Sequence, residues 1–243
     1  MDPDPDHAPG GAPDNSPDSA QRHPRGPGRL ERRLSPRQAH QLMDTAYLAG
    51  ATALLWVALY YLPVGGPLFR LALPLPLALL QLRYGWRCAV EGVVVTTLLL
   101  LALMGPIRGA MVLFPNGLLA LWLGWCWRRR LSWWLSLALG SLIATAGFLV
   151  RLAVLSLLVG ENLWVVITTA AAGLLESLAN LLALDLVPEL AQVQLLALAL
   201  VLFQSAILVL ALHAVAYWIF ARLQAPISEP PELLRALVAL DPL

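Results

Sequence analysis

From about residue 42 onward, long apolar runs alternate with short clusters of Pro, Gly and Arg. The first run, residues 42–62, stops at Pro63, Gly65, Gly66 and Pro67, a cluster that cannot continue a helix. The second, 68–82, is short and carries Pro74 and Pro76. Each proline leaves a carbonyl without its helical N–H partner, so this run is expected to be kinked or partly unwound and sheltered by neighbouring helices. The third run, 86–104, ends at Gly105 and Pro106, and the fourth, 109–127, ends in Arg128, Arg129 and Arg130. A fifth occupies 131–159, and the last, 190–221, closes with Arg222 and a Pro-rich tail. Most of these approach or exceed the roughly 20 residues a helix needs to cross about 30 Å of hydrocarbon.

Residues 161–187 interrupt the series. They are apolar but include Glu161, Thr168, Thr169, Glu176, Asn180 and Asp185. Thr169, Gly173, Glu176 and Asn180 recur at helical spacing, which predicts one polar stripe opposite Leu174, Leu178 and Leu181 on an amphipathic helix. The fold class that follows is an all-α membrane protein with six transmembrane helices plus one interfacial or re-entrant helix, or seven transmembrane helices if this segment crosses. Positive charge arbitrates between the two. With the N-terminus inside, Arg83, Arg87 and Arg128 to Arg130 share the cytoplasmic side, and Arg222 joins them only if 161–187 does not cross.

Composition agrees with a chain dissolved in lipid. Hydrophobic residues make up 59% of the 243 residues, and the mean hydropathy is +0.71. Residues 1–36 differ: Pro, Asp, Gly and Ser dominate, and too few apolar side chains are present to offset chain entropy. They are expected to form a disordered cytoplasmic tail, followed by a helical transmembrane domain over 37–225 and a short tail over 226–243. No cleavable secretory signal precedes the first run. The basic residues Arg22, Arg25, Arg29, Arg32, Arg33 and Arg37 are best explained as a topology anchor, with contact to anionic head groups as the alternative. The net charge of +1 conceals this asymmetry. Nothing here points to specific nucleic-acid binding.

Chemistry-bearing motifs are absent from the sequence. There is no Walker loop, zinc-binding helix, nucleophile elbow or dinucleotide fingerprint, so neither an enzyme nor a cofactor is expected. Cys88 and Cys126 lack metal or redox spacing. Arg151 is the sharpest feature, because a cation inside an apolar helix must find a partner or water. On the six-crossing topology Arg70, Arg108 and Arg151 belong to the outer half with Glu161, Glu176 and Asn180, and together they are candidates for a cavity binding an anionic or zwitterionic solute. The plainer alternative pairs Arg151 with Glu176 and lets Arg70 and Arg108 snorkel outward. Glu91 is expected to pair with Arg87, Asn116 to bond between helices, and His213 to be a packed, hydrogen-bonded histidine. Trp122, Trp125, Trp127, Trp133 and Trp134 suggest an interfacial belt. Ala46, Ala49, Gly50 and Ala53 place small residues four apart on the first helix, which suits close helix packing or partner docking.

The stretches LPLPLALLQLRYGWR (73–87), MGPIRG (104–109), LWLGWCWRRRLSWWLSLALGS (121–141) and GENLW (160–164) resemble the domain of unknown function 2232, a bacterial membrane family with cyanobacterial versions. The likeness extends from about residue 43 to 227. That family is distantly similar to the substrate-binding S components of energy-coupling factor transporters and to the rod-shape protein MreD. S-component likeness implies six helices and an externally facing solute site. It also implies that small residues of the first helix dock a transmembrane coupling protein with separate ATPases, the position that Ala49 and Ala53 would occupy. MreD likeness implies a scaffold without transport. The sequence has no His-rich N-terminus of a nickel or cobalt binder, and its candidate ligand residues match no vitamin subfamily. The expected location is the bacterial inner (plasma) membrane with the N-terminus cytoplasmic, an internal membrane being the alternative.

Overall fold

The computed structural model describes residues 35–63, 65–181, 189–225 and 227–232. The expected disordered tail, apart from its last two residues, lies outside them, as do Asp185 and most of the C-terminal tail. Among the described residues the structure is entirely helical. In chain order the helices are α1 (Pro36–Tyr61), α2 (Gly66–Ala72), α3 (Leu75–Tyr84), α4 (Trp86–Met104), α5 (Pro106–Ala110), a π-helical turn (Leu113–Gly117), α6 (Leu118–Arg128), α7 (Trp133–Val159), α8 (Leu163–Leu181) and α9 (Leu190–Arg222).

Five tracts among the described residues are long and apolar enough to cross a membrane: α1, α4, the tract Pro106–Arg128 through α5 and α6, α7, and α9. The protein is therefore membrane-integral. The run expected at 68–82 is split into α2 and α3 at Leu73 and Pro74, so neither piece reaches spanning length alone. The break is mild: the Leu73 N–H still bonds to the Phe69 carbonyl and the Ala78 N–H to that of Pro74. The fourth run is broken more sharply. Phe114 leaves helical geometry at φ −115° and ψ 121°, just before the cis-linked Pro115.

The α3 and α6 parts of these broken tracts occupy the middle of the bundle, while α2 and α5 stay largely exposed. Leu73, Pro74, Leu75, Leu77, Ala78, Leu79, Leu80 and Gln81 are all buried around α3, which packs chiefly on α6 and α4. In the most apolar stretch of Pro106–Arg128 56% of residues are buried, against 17% to 33% in α1, α4, α7 and α9. That contrast identifies the four intact helices as the lipid-facing shell. Their exposed side chains agree, including Leu54 of α1, Leu98 of α4, Leu142 of α7 and Phe203 of α9. Irregular backbone in a membrane must be sheltered by protein, because hydrocarbon offers its N–H and C=O groups no partners.

Small residues allow the shell to close on the broken core. The buried face of α7 is Ser136, Gly140, Ser141, Ala144, Thr145 and Gly147. A Cβ at Gly147 would lie 2.5 Å from the Cβ of Pro115, so this glycine makes room for the π-helical turn. Gly109 is tighter still, since a Cβ there would meet the Leu100 and Leu101 backbone at 2.5–2.7 Å where α5 folds back along α4. On α1, Ala49 and Ala53 are buried against α4, and the Thr96 hydroxyl donates to the Ala49 carbonyl at 3.2 Å. The small-residue face proposed for partner docking is thus divided. Ala49 and Ala53 serve the internal α1–α4 crossing, while Ala46 is exposed and Gly50 is half-buried with open space beside it.

Helices α7 and α9 pack antiparallel. Ser136 meets His213 and Gly140 meets Val209, and Trp133 Nε1 donates to the Ser228 carbonyl beyond the end of α9 at 3.1 Å. Among the described residues, helix α8 packs chiefly on α9 and α7. Its buried contact is Ala171 against Val193 and Ala197, flanked by Trp164, Ile167 and Leu175. Leu174 and Leu181, placed by the sequence opposite the polar stripe, are 50% and 81% exposed and take no part in this contact. The face that packs is the one closest to α9, and Ala171 allows that approach.

These packing contacts yield a stability prediction for the purified protein in detergent. Gly109→Ala forces a methyl into backbone and is expected to cost about 1–3 kcal/mol. Gly50→Ala, with nothing within 4 Å, is expected to be neutral or to stabilise by up to about 1 kcal/mol through helix propensity. Thermal melting of the two variants beside wild type checks the ordering; equal melting points for the two would contradict the packing.

Candidate functional site

Define the near end of the bundle as that where α1 begins and the far end as that where it finishes. The far end gathers α1, α2, α4, α5 and α7 around Trp56, which is fully buried with Ala53, Leu73, Leu100, Met111 and Val112. Against this cluster lies Arg151. Its Nη2 donates to the Tyr60 hydroxyl at 3.1 Å, and its Cζ stands 5.9 Å from the Trp56 ring centroid. Trp56 and Tyr60, one helical turn apart, hold their ring centroids 5.4 Å from each other. The guanidinium therefore rests on one aromatic face and one phenol.

No ion pair with Glu176 forms, so the pairing considered from sequence is replaced by this aromatic seat. The substitution has a chemical consequence. A guanidinium offers five N–H donors, and Tyr60 takes one of them. Arg151 is half-buried, and the buried Trp56 Nε1 is also without a partner. Among the described residues, the far end thus holds a cation with spare donors and no ion-paired carboxylate, an arrangement suited to an anion. Arg70, in the last turn of α2, and Arg108, in α5, are exposed at this same end.

The acidic candidates do not pair with Arg151. Glu161 is exposed at the α7–α8 corner, where it lines a groove of ≈ 630 Å³ with Leu149, Leu152, Ala153, Asn162 and Trp164 among its walls. Glu176 is exposed along α8, and the side chain of Asn180 lies outside the described residues. The structure therefore brings Arg151 together with aromatic residues of α1, and it does not bring the arginines and glutamates into one cavity.

The near end carries a second polar assembly that sequence reasoning largely missed. The Tyr84 hydroxyl donates to Asp44 of α1 at 2.6 Å, and Arg83 forms an ion pair with the same carboxylate at 3.8 Å. Arg83 also donates to the Leu223 carbonyl at the end of α9, at 2.9 Å. Arg128 donates to the Gln81 carbonyl at 3.2 Å, and Gln41 bonds to Cys88. An acid inside the first turns of an apolar run was the available signal for this clasp. Glu91 is exposed and forms no ion pair with Arg87, contrary to the sequence expectation. Asn116 lies half-buried in the π-helical turn, with no interhelical bond from its side chain.

About one turn inside the near end sits His213, buried on α9 as expected from sequence. Its Nδ1 lies 2.8 Å from the Val209 carbonyl, which fixes the proton there and leaves Nε2 to accept from the Ser136 hydroxyl at 3.0 Å. Trp127 and Trp133 pack on the ring at centroid distances of 5.4 and 5.1 Å. Both are buried, so the belt expected from five tryptophans is reduced to half-buried Trp122 and Trp125 and exposed Trp134.

With this geometry in place, residues 50–236 match the family of predicted membrane proteins termed DUF2232, well over half of the chain. The chain belongs to this family. The DUF2232 stretch takes in Trp56, Tyr60, Arg70, Arg108, Arg151, Glu161 and His213, while Asp44, Ala46 and Ala49 precede it. No curated protein and no solved structure matches the chain.

The His213 arrangement generates its own expectation. Ser136→Ala removes one neutral hydrogen bond and should lower stability by about 1 kcal/mol. His213→Ala also empties the space between two tryptophans and should cost roughly 3–5 kcal/mol, by analogy with other large-to-small core changes. Denaturant-dependent tryptophan fluorescence in detergent measures both; a His213→Ala loss no greater than that of Ser136→Ala would refute the packing role.

Proposed function

We propose that this DUF2232 protein is a solute-binding membrane subunit that recognises an anionic group at the far end of the bundle through Arg151, Trp56 and Tyr60. The observation that carries the reading is Arg151 itself. A cation on a membrane helix costs about 2.5–3.5 kcal/mol at mid-span, and such residues usually mark a pathway or a binding site. Here it has no carboxylate partner among the described residues and retains free donors. A carboxylate or phosphate would satisfy those donors in the bidentate geometry that guanidinium favours. Arg70 and Arg108 at the same end would draw such an anion in by long-range attraction.

The antiparallel register of α7 and α9 supports a topology to go with this reading. Counting from Ser136 opposite His213, the last residues of α7 stand level with the first of α9, so α8 leaves and returns at one end. With α2 and α3 counted as one kinked crossing, six crossings result, and Arg83, Arg128 to Arg130 and Arg222 all fall on the side of the N-terminus. The positive-inside rule makes that side cytoplasmic and the arginine seat external. The chain would then sit in a bacterial inner membrane and work with a transmembrane coupling protein and separate ATPases, as an S component does. The exposed Ala46 edge of α1 is the remaining candidate for that partner.

A scaffold of the MreD kind is the competing reading, favoured by Arg151 being held on Trp56 and Tyr60 while Arg70 and Arg108 are exposed. Thermal-shift titration of purified protein in detergent distinguishes the two, using small carboxylates, phosphate monoesters and neutral vitamins as ligands. A binder at 100 times its dissociation constant stabilises the folded state by about 2.7 kcal/mol. The transport reading predicts such a shift for an anionic ligand, abolished in Arg151→Gln and weakened in Tyr60→Phe. No shift with any anion, together with a lowered baseline melting point in Arg151→Gln, would favour the scaffold.

A further inference from the structure

The groove at the α7–α8 corner has a different chemistry from the arginine seat. One wall is a continuous face of α7: Leu149, Leu152, Ala153, Ser156 and Leu157 follow one another at helical spacing. Trp164, in the first turn of α8, lines the groove as well, and Gly160, Glu161 and Asn162 form its end at the corner between the helices. It is a shallow, open groove of ≈ 630 Å³ with an apolar wall and a few polar groups at one end, a shape that suits an elongated apolar chain lying along the surface. Gly160 has nothing within 4 Å of its Cβ position, so that end of the groove is open.

The polar groups are sorted by charge. Ser156 Oγ is occupied by the Leu163 N–H at 3.0 Å. Asn162 Oδ1 accepts the Trp164 N–H at 3.1 Å, which fixes the amide and leaves its NH₂ as a donor. Glu161 is exposed and, among the described residues, is the one titratable residue lining the groove. No arginine lines it, since Arg151 lies on another face of α7, turned toward α1. The end of the groove therefore presents a carboxylate beside an amide donor, and the wall below it presents only apolar surface.

We propose that this groove holds a phospholipid whose head group carries a primary ammonium, that is, an ethanolamine phospholipid of the surrounding bilayer. The acyl chain lies along Leu149 to Leu157, the ammonium faces Glu161, and the phosphate takes the Asn162 amide donor. Charge complementarity selects this lipid: a phosphoglycerol head group brings a net negative charge to Glu161 with no cation to offset it. The site is independent of the arginine seat and stands or falls without it.

Native mass spectrometry of the full chain, released from detergent after titration with phosphatidylethanolamine or phosphatidylglycerol of identical acyl chains, tests the assignment. Wild type is expected to retain the ethanolamine lipid about three- to fivefold better, the size of one partly exposed ion pair. Glu161→Gln should erase that preference while leaving the apolar contribution. Ala153→Trp, at an exposed position that tolerates a large side chain, should reduce retention of both lipids, and a melting point near that of wild type verifies that it folds. Equal retention of the two lipids by wild type, a glycerol preference, or an ethanolamine preference unchanged in Glu161→Gln would each overturn the proposal.

Discussion

Hydrocarbon supplies no hydrogen bonds, and this constraint organises the bundle. Two of its tracts cannot keep a continuous helical ladder: Pro74 and Pro76 interrupt one, and Phe114 with Pro115 interrupts the other. Either tract facing lipid would leave backbone groups unpaired at a cost of several kcal/mol each. The structure places them at the centre, with α3 against α6 and the intact helices α1, α4, α7 and α9 around them. Gly109, Gly147, Ala49 and Ala53 follow from that arrangement, because a central irregular tract needs thin surfaces on its neighbours. Small residues here fit one helix to another's distortion, as they commonly do where the hydrophobic effect no longer drives association.

The same solvent sorts the polar groups. Asp44, Tyr84 and Arg83 sit at the near end, where water and head groups reach them, and there they tie α1, α3 and the end of α9 together. His213 and Ser136 lie deeper and satisfy each other, with tryptophans closing off the ring. Arg151 alone among the deeper charged groups keeps an excess of donors, and its support comes from an aromatic ring and a phenol. A cation–π contact gains strength when desolvated, so Trp56 can hold the guanidinium in place without neutralising it. A residue held but not neutralised can still accept a ligand's charge.

Much of this was legible from the sequence. The bounds of α4, α7 and α9 fall within about two residues of the apolar runs, because charged and Gly-Pro punctuation marks the ends of membrane helices sharply. The kink in the second run was also legible, since a proline's missing N–H is a local property. Less visible were features set by which faces meet. The packed face of α8 was not legible, because Ala171 is no more apolar than its neighbours and the contact with α9 depends on closeness of approach. Arg151 was recognised as exceptional, yet its partners Trp56 and Tyr60 lie 91 to 95 positions away in sequence and carry no charge to advertise the pairing. Trp127 and Trp133 were read as belt residues for a similar reason, because proximity to Arg128 in sequence says nothing about the His213 ring they cover in space.

The central claim is that the interrupted tracts form the interior and the four intact helices form the lipid-facing shell. A diazirine-bearing lipid, photoactivated after reconstitution of the chain into vesicles and mapped by peptide mass spectrometry, measures lipid contact along the whole chain without altering it. Labelling is predicted on the exposed faces of α1, α4, α7 and α9, at positions such as Leu54, Leu98, Leu142 and Phe203, with little or none on Leu77, Leu80, Leu119 and Leu123. Labelling of α3 and α6 as heavy as that of the outer helices would contradict the account, because it would put unpaired backbone in direct contact with lipid.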